Sequence, residues 1–231
     1  MLILFSYLKI RIDAILGFNS AAIPKGVIKK QIRNVKNPLI IDVGCSSGEF
    51  SKICYQANSE SKVFAFDLHA SLEKKLKLRF KMQDFTFFNI GVSDKQGFSG
   101  VNKSKDFDRK AHLTGNAESK FLVKVDSLDN LIGNMIDKRI SILKIDTEGN
   151  DFAVLKGAKK ILQITDVVIF EVMYRMVLDQ NFPDDIIKYL QKHNFIYFYR
   201  ASKFFGLIPI QCIMPWEIST QNIVAARVKL S

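Results

Sequence analysis

The chain has 231 residues, of which 48% are hydrophobic and 25% charged. That ordinary balance excludes extensive disorder and allows one sizeable core. The formal charge of +11 favours anionic partners such as nucleic acid, an acidic glycan or a membrane face, although lysines solvated on helix faces give the same count.

Residues 1–18 are apolar in bulk, but Lys9, Arg11 and Asp13 interrupt them too early for a spanning helix of about 20 apolar residues. A signal peptide would carry its positive charge before the apolar run, not after it. Leu4, Leu8, Ile12 and Ile15 share one helical face, which suits a helix docked on the domain or lying on a membrane surface. Residues 1–38 are therefore expected to form an N-terminal helical extension, and residues 39–231 the main domain.

From residue 39 onward, apolar strand-like runs alternate with helix-like segments, the signature of a parallel sheet covered on both faces. Strands are expected at 39–43, 62–67, 85–90, 121–125, 140–145 and 166–170. Helices are expected at 47–58, 71–80, 152–162 and 183–193, with a capped helix starting near 126–132. Residues 91–120, rich in Gly, Ser, Asn, Lys and Asp, read as loop and edge structure of the kind that often forms functional lids. Residues 195–200 and 222–228 read as a terminal antiparallel pair.

The most informative stretch is Leu39-Ile40-Ile41-Asp42-Val43-Gly44-Cys45-Ser46-Ser47-Gly48. A buried strand feeding a glycine turn and a helix places bare N–H groups at one end of a sheet, where a nucleotide-like ligand can approach. Asp42 at the strand's end would repel a pyrophosphate but suits a positively charged ligand such as S-adenosylmethionine. Gly44-x-x-x-Gly48 also lacks the third glycine of a nicotinamide fingerprint and the Gly-Lys-Ser/Thr of a phosphate-binding loop. Cys45 in this loop is expected to be merely small, since no nearby His or Lys lowers its pKa. With Cys54 and Cys212 it makes no closed disulfide set or metal motif, which suits a reducing, cytoplasmic setting.

Ligands of doubly wound sheets bind beyond the carboxyl ends of the strands. Asp42, Asp67, Asp146 and Glu171 end four of the five core strands. Asp67 stands where an acceptor can grip two ribose hydroxyls, and Gly91 would let an adenine ring lie close to backbone.

The motifs Ile41 to Gly48, Asn89-Ile90-Gly91-Val92-Ser93-Asp94 and Leu143-Lys144-Ile145-Asp146-Thr147-Glu148-Gly149-Asn150-Asp151, with Val154-Leu155-Lys156-Gly157-Ala158 after the last, resemble the FkbM-type S-adenosylmethionine-dependent methyltransferases. The likeness covers about residues 39–170. It departs where the family's second strand often ends Glu-Pro and this chain has Asp67-Leu68. The resemblance implies an α/β fold: a single Rossmann-like class I methyltransferase domain, its sheet mostly parallel and seven-stranded, with a terminal antiparallel strand and helices on both faces. It also implies S-adenosyl-L-methionine as donor, contacted by Asp42, Gly44, Ser46, Gly48, Asp67, Leu68, Asn89, Ile90, Gly91 and Asp146. The acceptor implied is a small molecule or glycan with a free hydroxyl. Glu148, Asp146 and His112 are the candidates for taking its proton. Glu148 suits base or substrate contact and Asp146 donor contact, with the reverse assignment open. Asp146 and Glu148 offer hard oxygens to a divalent cation, but no third ligand is evident, so no metal is expected. Trp216 could stack on a sugar ring. An RNA methyltransferase using the basic surface, or a non-catalytic membrane- or partner-binding module, are the alternative readings.

Overall fold

The computed structural model describes residues 24–101, 113, 121–172, 183–202, 206–211 and 221–230. The amphipathic run 1–18 and the residues His112, Cys212 and Trp216 lie outside them.

The core strands form where the sequence is continuously apolar, as strands buried on both faces require. β1 (Leu39–Val43), β2 (Lys62–Asp67) and β3 (Asp84–Asn89) alternate with α2 (Glu49–Ala57) and α3 (Leu72–Arg79), and α1 (Lys25–Ile32) precedes them. β4 (Gly91–Val92), β5 (Gly97–Gly100) and β6 (Leu122–Asp126) follow, then α4 (Leu128–Ile132) and β7 (Ile140–Ile145). α5 (Asp151–Lys156) and α6 (Lys159–Gln163) lead into β8 (Thr165–Val172). The chain ends with α7 (Pro183–Lys192), β9 (Tyr197–Ser202), β10 (Gly206–Pro209) and β11 (Gln221–Ala226). Gly157 stands between α5 and α6, and only glycine fits there, since a Cβ would stand 2.1 Å from the Ser93 carbonyl oxygen.

The main sheet runs in the order β10-β9-β11-β8-β7-β1-β2-β3. Neighbours from β8 to β3 are parallel, and β11 is antiparallel to both β8 and β9. The terminal antiparallel pair is thus present as β9 and β11. The expectation of seven strands needs correction to eight. Residues 206–209 turn back as β10 against β9, in a segment whose Gly and Pro had concealed its strand character. A further difference lies in residues 91–126, where β4, β6 and β5 form a separate three-stranded sheet.

Strand alternation splits the apolar residues into two layers. Ile40, Val63, Ala65, Ile142, Val167 and Ile169 face α1, α2 and α3. Ile41, Val43, Phe64, Phe66, Leu143 and Phe170 face α4 to α7. α1 buries Val27, Ile28 and Ile32 in the first of these layers. Among the described residues no helix is long and apolar enough to cross a membrane.

Candidate active site

A cavity of about 230 Å³ opens beyond the carboxyl ends of β1, β2 and β7. Gly44, Ser46, Asp67, Leu68, His69, Ile90, Gly91, Asp146, Thr147 and Glu148 are among the residues that line it. A second cavity of about 200 Å³ lies on the other side of the β1 loop. Gly44, Ser46 and Asp146 border both cavities.

The β1 loop is built for close approach. Gly44 has φ +72°, and a Cβ on it would stand 1.9 Å from the carbonyl oxygen of Asp146. The walls formed by the ends of β1 and β7 can therefore meet only if residue 44 is glycine. Ser46 also has positive φ, at 46°. Asp67 stabilises this loop: its Oδ2 accepts the Ser46 N–H at 2.9 Å, while Oδ1 accepts the His69 N–H at 3.0 Å. Each carboxylate oxygen keeps a lone pair for a ligand hydroxyl.

The turn after β7 carries the second set of polar groups. Glu148 has φ +55°, an uncommon conformation for a non-glycine residue and one that surrounding structure must hold in place. Asp151 does much of that holding. Its Oδ1 accepts from the Thr147 N–H at 2.9 Å and the Thr147 hydroxyl at 2.5 Å, and its Oδ2 accepts the Glu171 N–H at 3.0 Å. The Asn150 side chain donates to the Val92 carbonyl at 2.9 Å, tying the turn to β4.

Beneath the loop lies a buried charge cluster. Asp42 and Lys144 are direct partners across β1 and β7. The Lys144 ammonium stands 3.5 Å from Asp42 Oδ1 and 3.2 Å from Asp146 Oδ2, and it donates to the Gly44 carbonyl at 3.2 Å. The Ser51 hydroxyl of α2 donates to Asp42 Oδ2 at 2.7 Å. Burial opposes the lysine's charge, but Asp42 and Asp146 outweigh it and hold Lys144 well above the ordinary lysine range. Burial pushes the Asp42 carboxyl up, opposed by Lys144 and Ser51.

Two more carboxyls are shifted by burial. Glu171 is pushed up to about 9 by burial and then by Asp146, Asp151 and Glu148, and Asp151 is pushed up to about 6 by burial despite its Thr147 hydrogen bonds. Burial also pushes the Cys45 thiol far up, so it is no nucleophile.

The cavity thus unites Gly44, Ser46, Asp67, Leu68, Ile90, Gly91, Asp146 and Glu148. It does not unite all four strand-end carboxylates. Asp42 points away, to α2, because β1 alternates and even-numbered residues face that layer; it is 0% exposed. Glu171 lies within β8 and is buried. Gly48 also falls outside the lining: a Cβ there would stand 2.7 Å from Phe80 and 2.9 Å from Leu76, so its small size serves the packing of α3. Asn89 is exposed and donates to the Asp67 carbonyl at 3.1 Å. Gly91 does line the cavity, yet a Cβ on it would meet Val125 at 2.9 Å, so its bareness serves the contact with β6. His112 lies outside the described residues. Sequence reasoning assigned no role to Lys144, Ser51 or Asp151. A lysine inside the apolar run 140–145 was the available signal, since a charge in a buried strand demands partners.

These features fit S-adenosylmethionine. Asp67 offers acceptors for ribose hydroxyls, Leu68 and Ile90 offer apolar walls for a ring, and Asp146 and Glu148 offer negative charge to a sulfonium.

A crystal structure of a Clostridium thermocellum protein, named as a candidate rRNA methylase, matches over 92% of this chain and 98% of its own, with a TM-score of 0.52 at 11% identity. A SAM-dependent O-methyltransferase from Thermotoga maritima matches over 90% of this chain and 65% of its own, at TM-score 0.45 and 14% identity. Fibrillarin from Aeropyrum pernix, solved with natively bound S-adenosyl-L-methionine, gives TM-score 0.48 and 9% identity over 83% of this chain and 67% of its own. At such identities the first likeness shows the fold alone, and the other two carry no argument. No curated protein matches the chain. The model of the methyltransferase FkbM domain matches residues 42–197, well over half the sequence and including both cavity-forming turns. The chain therefore belongs to the FkbM methyltransferase family, and S-adenosylmethionine is its methyl donor.

Proposed function

We propose that this enzyme methylates a hydroxyl oxygen of a sugar, glycan or similarly hydroxylated metabolite. The observation that carries this reading is the pair of carboxylates, Asp146 and Glu148, on the same cavity wall as the Gly44 loop. The donor, when bound, supplies an electrophilic methyl carbon that needs no covalent help from the protein. A hydroxyl, however, must lose its proton as its oxygen gains the methyl group. A positioned carboxylate that takes the proton contributes about 10²- to 10⁴-fold.

Glu148 is the proposed acceptor of that proton. Asp146 is already engaged by the Lys144 ammonium at 3.2 Å, which suits it to orienting the donor side rather than to collecting a proton. Gly44, Ser46, Asp67, Leu68, Ile90 and Gly91 are proposed to hold the donor. Asp42, Gly48 and Asn89 support them from behind, through Lys144, α3 and the Asp67 backbone respectively. Cys45 and Cys54 are free and buried, which supports action in a reducing, cytoplasmic compartment.

The test is incubation of the enzyme with isotopically labelled S-adenosylmethionine and a panel of glycans and polyhydroxylated metabolites, followed by mass analysis. Methyl ethers on acceptor oxygens are expected. Label appearing only on nitrogen or carbon atoms, or only in RNA, would defeat the proposal.

A further inference from the structure

The charge of this protein is unevenly placed. α1, α2, α3 and the turns that close them (24–36, 49–60 and 71–83) carry nine lysines and two arginines against three glutamates. All three helices pack on one side of the main sheet, so their outer surfaces form one layer. Two of the three glutamates there are already paired, Glu49 with Arg79 and Glu73 with Lys77, each at 2.7 Å. The helices of the opposite layer mix signs, with Asp129, Lys156, Lys160 and Asp185 among them.

On α1 the cations are gathered by helical spacing. Lys29, Lys30 and Arg33, with Gly26 and Asn34, line a shallow groove of about 290 Å³. Lys25 and Lys36 are exposed on the same segment, which holds no acidic residue. Val27, Ile28 and Ile32 point inward, so the charged side is the outer one. On α3, Leu72 and Leu76 point inward, and Lys74, Lys75 and Lys77 are exposed.

Aliphatic side chains stand among these cations. Leu78 is 69% exposed, Met82 82% and Val35 40%. An RNA backbone has no use for exposed aliphatics, and the exposed Phe98 and Phe121 that could stack on bases lie in β5 and just before β6, strands of the separate three-stranded sheet. Lysine point charges combined with protruding aliphatic tips suit the headgroup region of an anionic bilayer, which attracts basic side chains and accepts apolar ones beneath them. We propose that the outer face of α1 and α3 docks this enzyme on an anionic membrane surface. α1 begins beside Pro24, which lines the second cavity next to the Gly44 loop, so docking by α1 brings the rim of the active site near the lipid.

The test uses the full chain and flotation with vesicles of phosphatidylcholine, with and without phosphatidylglycerol. Binding is expected only to the anionic vesicles and should weaken as salt rises, because the attraction acts within a Debye length. Lys29→Gln/Lys30→Gln/Arg33→Gln should lower partitioning on the order of 100-fold, at roughly fivefold per lost cation. Leu78→Ser/Met82→Ser should remove the part of the binding that survives raised salt. S-adenosylmethionine calorimetry on each variant establishes that the fold and donor site are intact. Equal partitioning of wild type and the triple variant, equal binding to neutral vesicles, or loss of all binding on deleting residues 1–18 alone would overturn the proposal. So would tight poly(U) binding with no vesicle binding, which would assign the face to nucleic acid. None of these outcomes bears on methyl transfer itself.

Discussion

Asp42 and Lys144 stand opposite each other on neighbouring parallel strands, with carboxylate and ammonium 3.5 Å apart and both side chains buried. The lysine reaches onward to the Gly44 carbonyl and to Asp146. One cation thereby joins the ends of β1 and β7, the two walls that meet at the Gly44 loop. Lys144→Met leaves Asp42 as an uncompensated buried charge, which should cost about 3–5 kcal/mol of stability. Donor affinity should fall with it, as the Gly44 carbonyl and Asp146 lose their shared partner. Urea denaturation and calorimetry measure the two effects. A stability loss well under that range would show that the sheet, not the ion pair, fixes this junction.

Gly44 and Gly149 separate steric from conformational cost. Both have positive φ, at 72° and 111°. A Cβ on Gly44 meets the Asp146 carbonyl, whereas one on Gly149 meets nothing within 4 Å. Gly149→Ala should therefore cost only the backbone strain, of order 1–3 kcal/mol. Gly44→Ala adds a clash between two backbone segments that cannot both stay in place, and donor binding should be abolished. Calorimetric binding of S-adenosylmethionine by Gly44→Ala at near wild-type strength would contradict this account of the loop.

The strands and the two turns that build the cavity were legible because buried parallel strands and glycine turns leave strong local patterns. The direction of Asp42 was legible in principle as well. Its position, two residues after Ile40, fixes it to the same side of β1 as a core residue facing α2. An acidic strand end can serve the interior as readily as a ligand, and the partners of Asp42 are Ser51 and Lys144. Gly48 and Gly91 show a similar limit: sequence reveals that a side chain is excluded, not what excludes it, and here the neighbours are Phe80 and Val125. β6 (Leu122–Asp126) answers to the strand expected at 121–125, whereas β4, β5 and β10 were illegible because they are only two to four residues long and each contains glycine, and long-range pairing alone makes them strands.

Glu171 predicts an unusual dependence of stability on pH. Its carboxyl is raised from 4.5 to about 9, so the folded protein keeps a proton that the unfolded chain releases. Between those values the native state binds more protons, and stability falls as pH rises. Asp151, raised from 3.8 to about 6, adds to the slope at the acidic end of the window. Glu171→Gln removes the larger contribution and should stabilise the protein by on the order of a few kcal/mol at pH near 8, with little change near pH 4.5. Thermal melts of both proteins across this range provide the comparison. Equal slopes for wild type and variant would show that Glu171 is ionised in the fold.

The division of labour between Asp146 and Glu148 makes the last prediction. Asp146 Oδ2 is held by Lys144 at 3.2 Å, so Asp146→Asn should weaken both donor binding and the buried cluster. Glu148 stands on a left-handed turn at the cavity wall, and its loss should leave the donor side intact. For Glu148→Gln, kcat should fall by about 10²- to 10⁴-fold while the dissociation constant of S-adenosylmethionine stays close to that of the wild type. The residual rate should climb steadily with pH, because the acceptor hydroxyl must then shed its proton to solvent. Asp146→Asn should instead raise the donor's dissociation constant and lower kcat/KM without that alkaline gain. If Glu148→Gln retains kcat within about threefold, the proton goes elsewhere. If the two variants exchange these signatures, Asp146 is the base and Glu148 serves the donor.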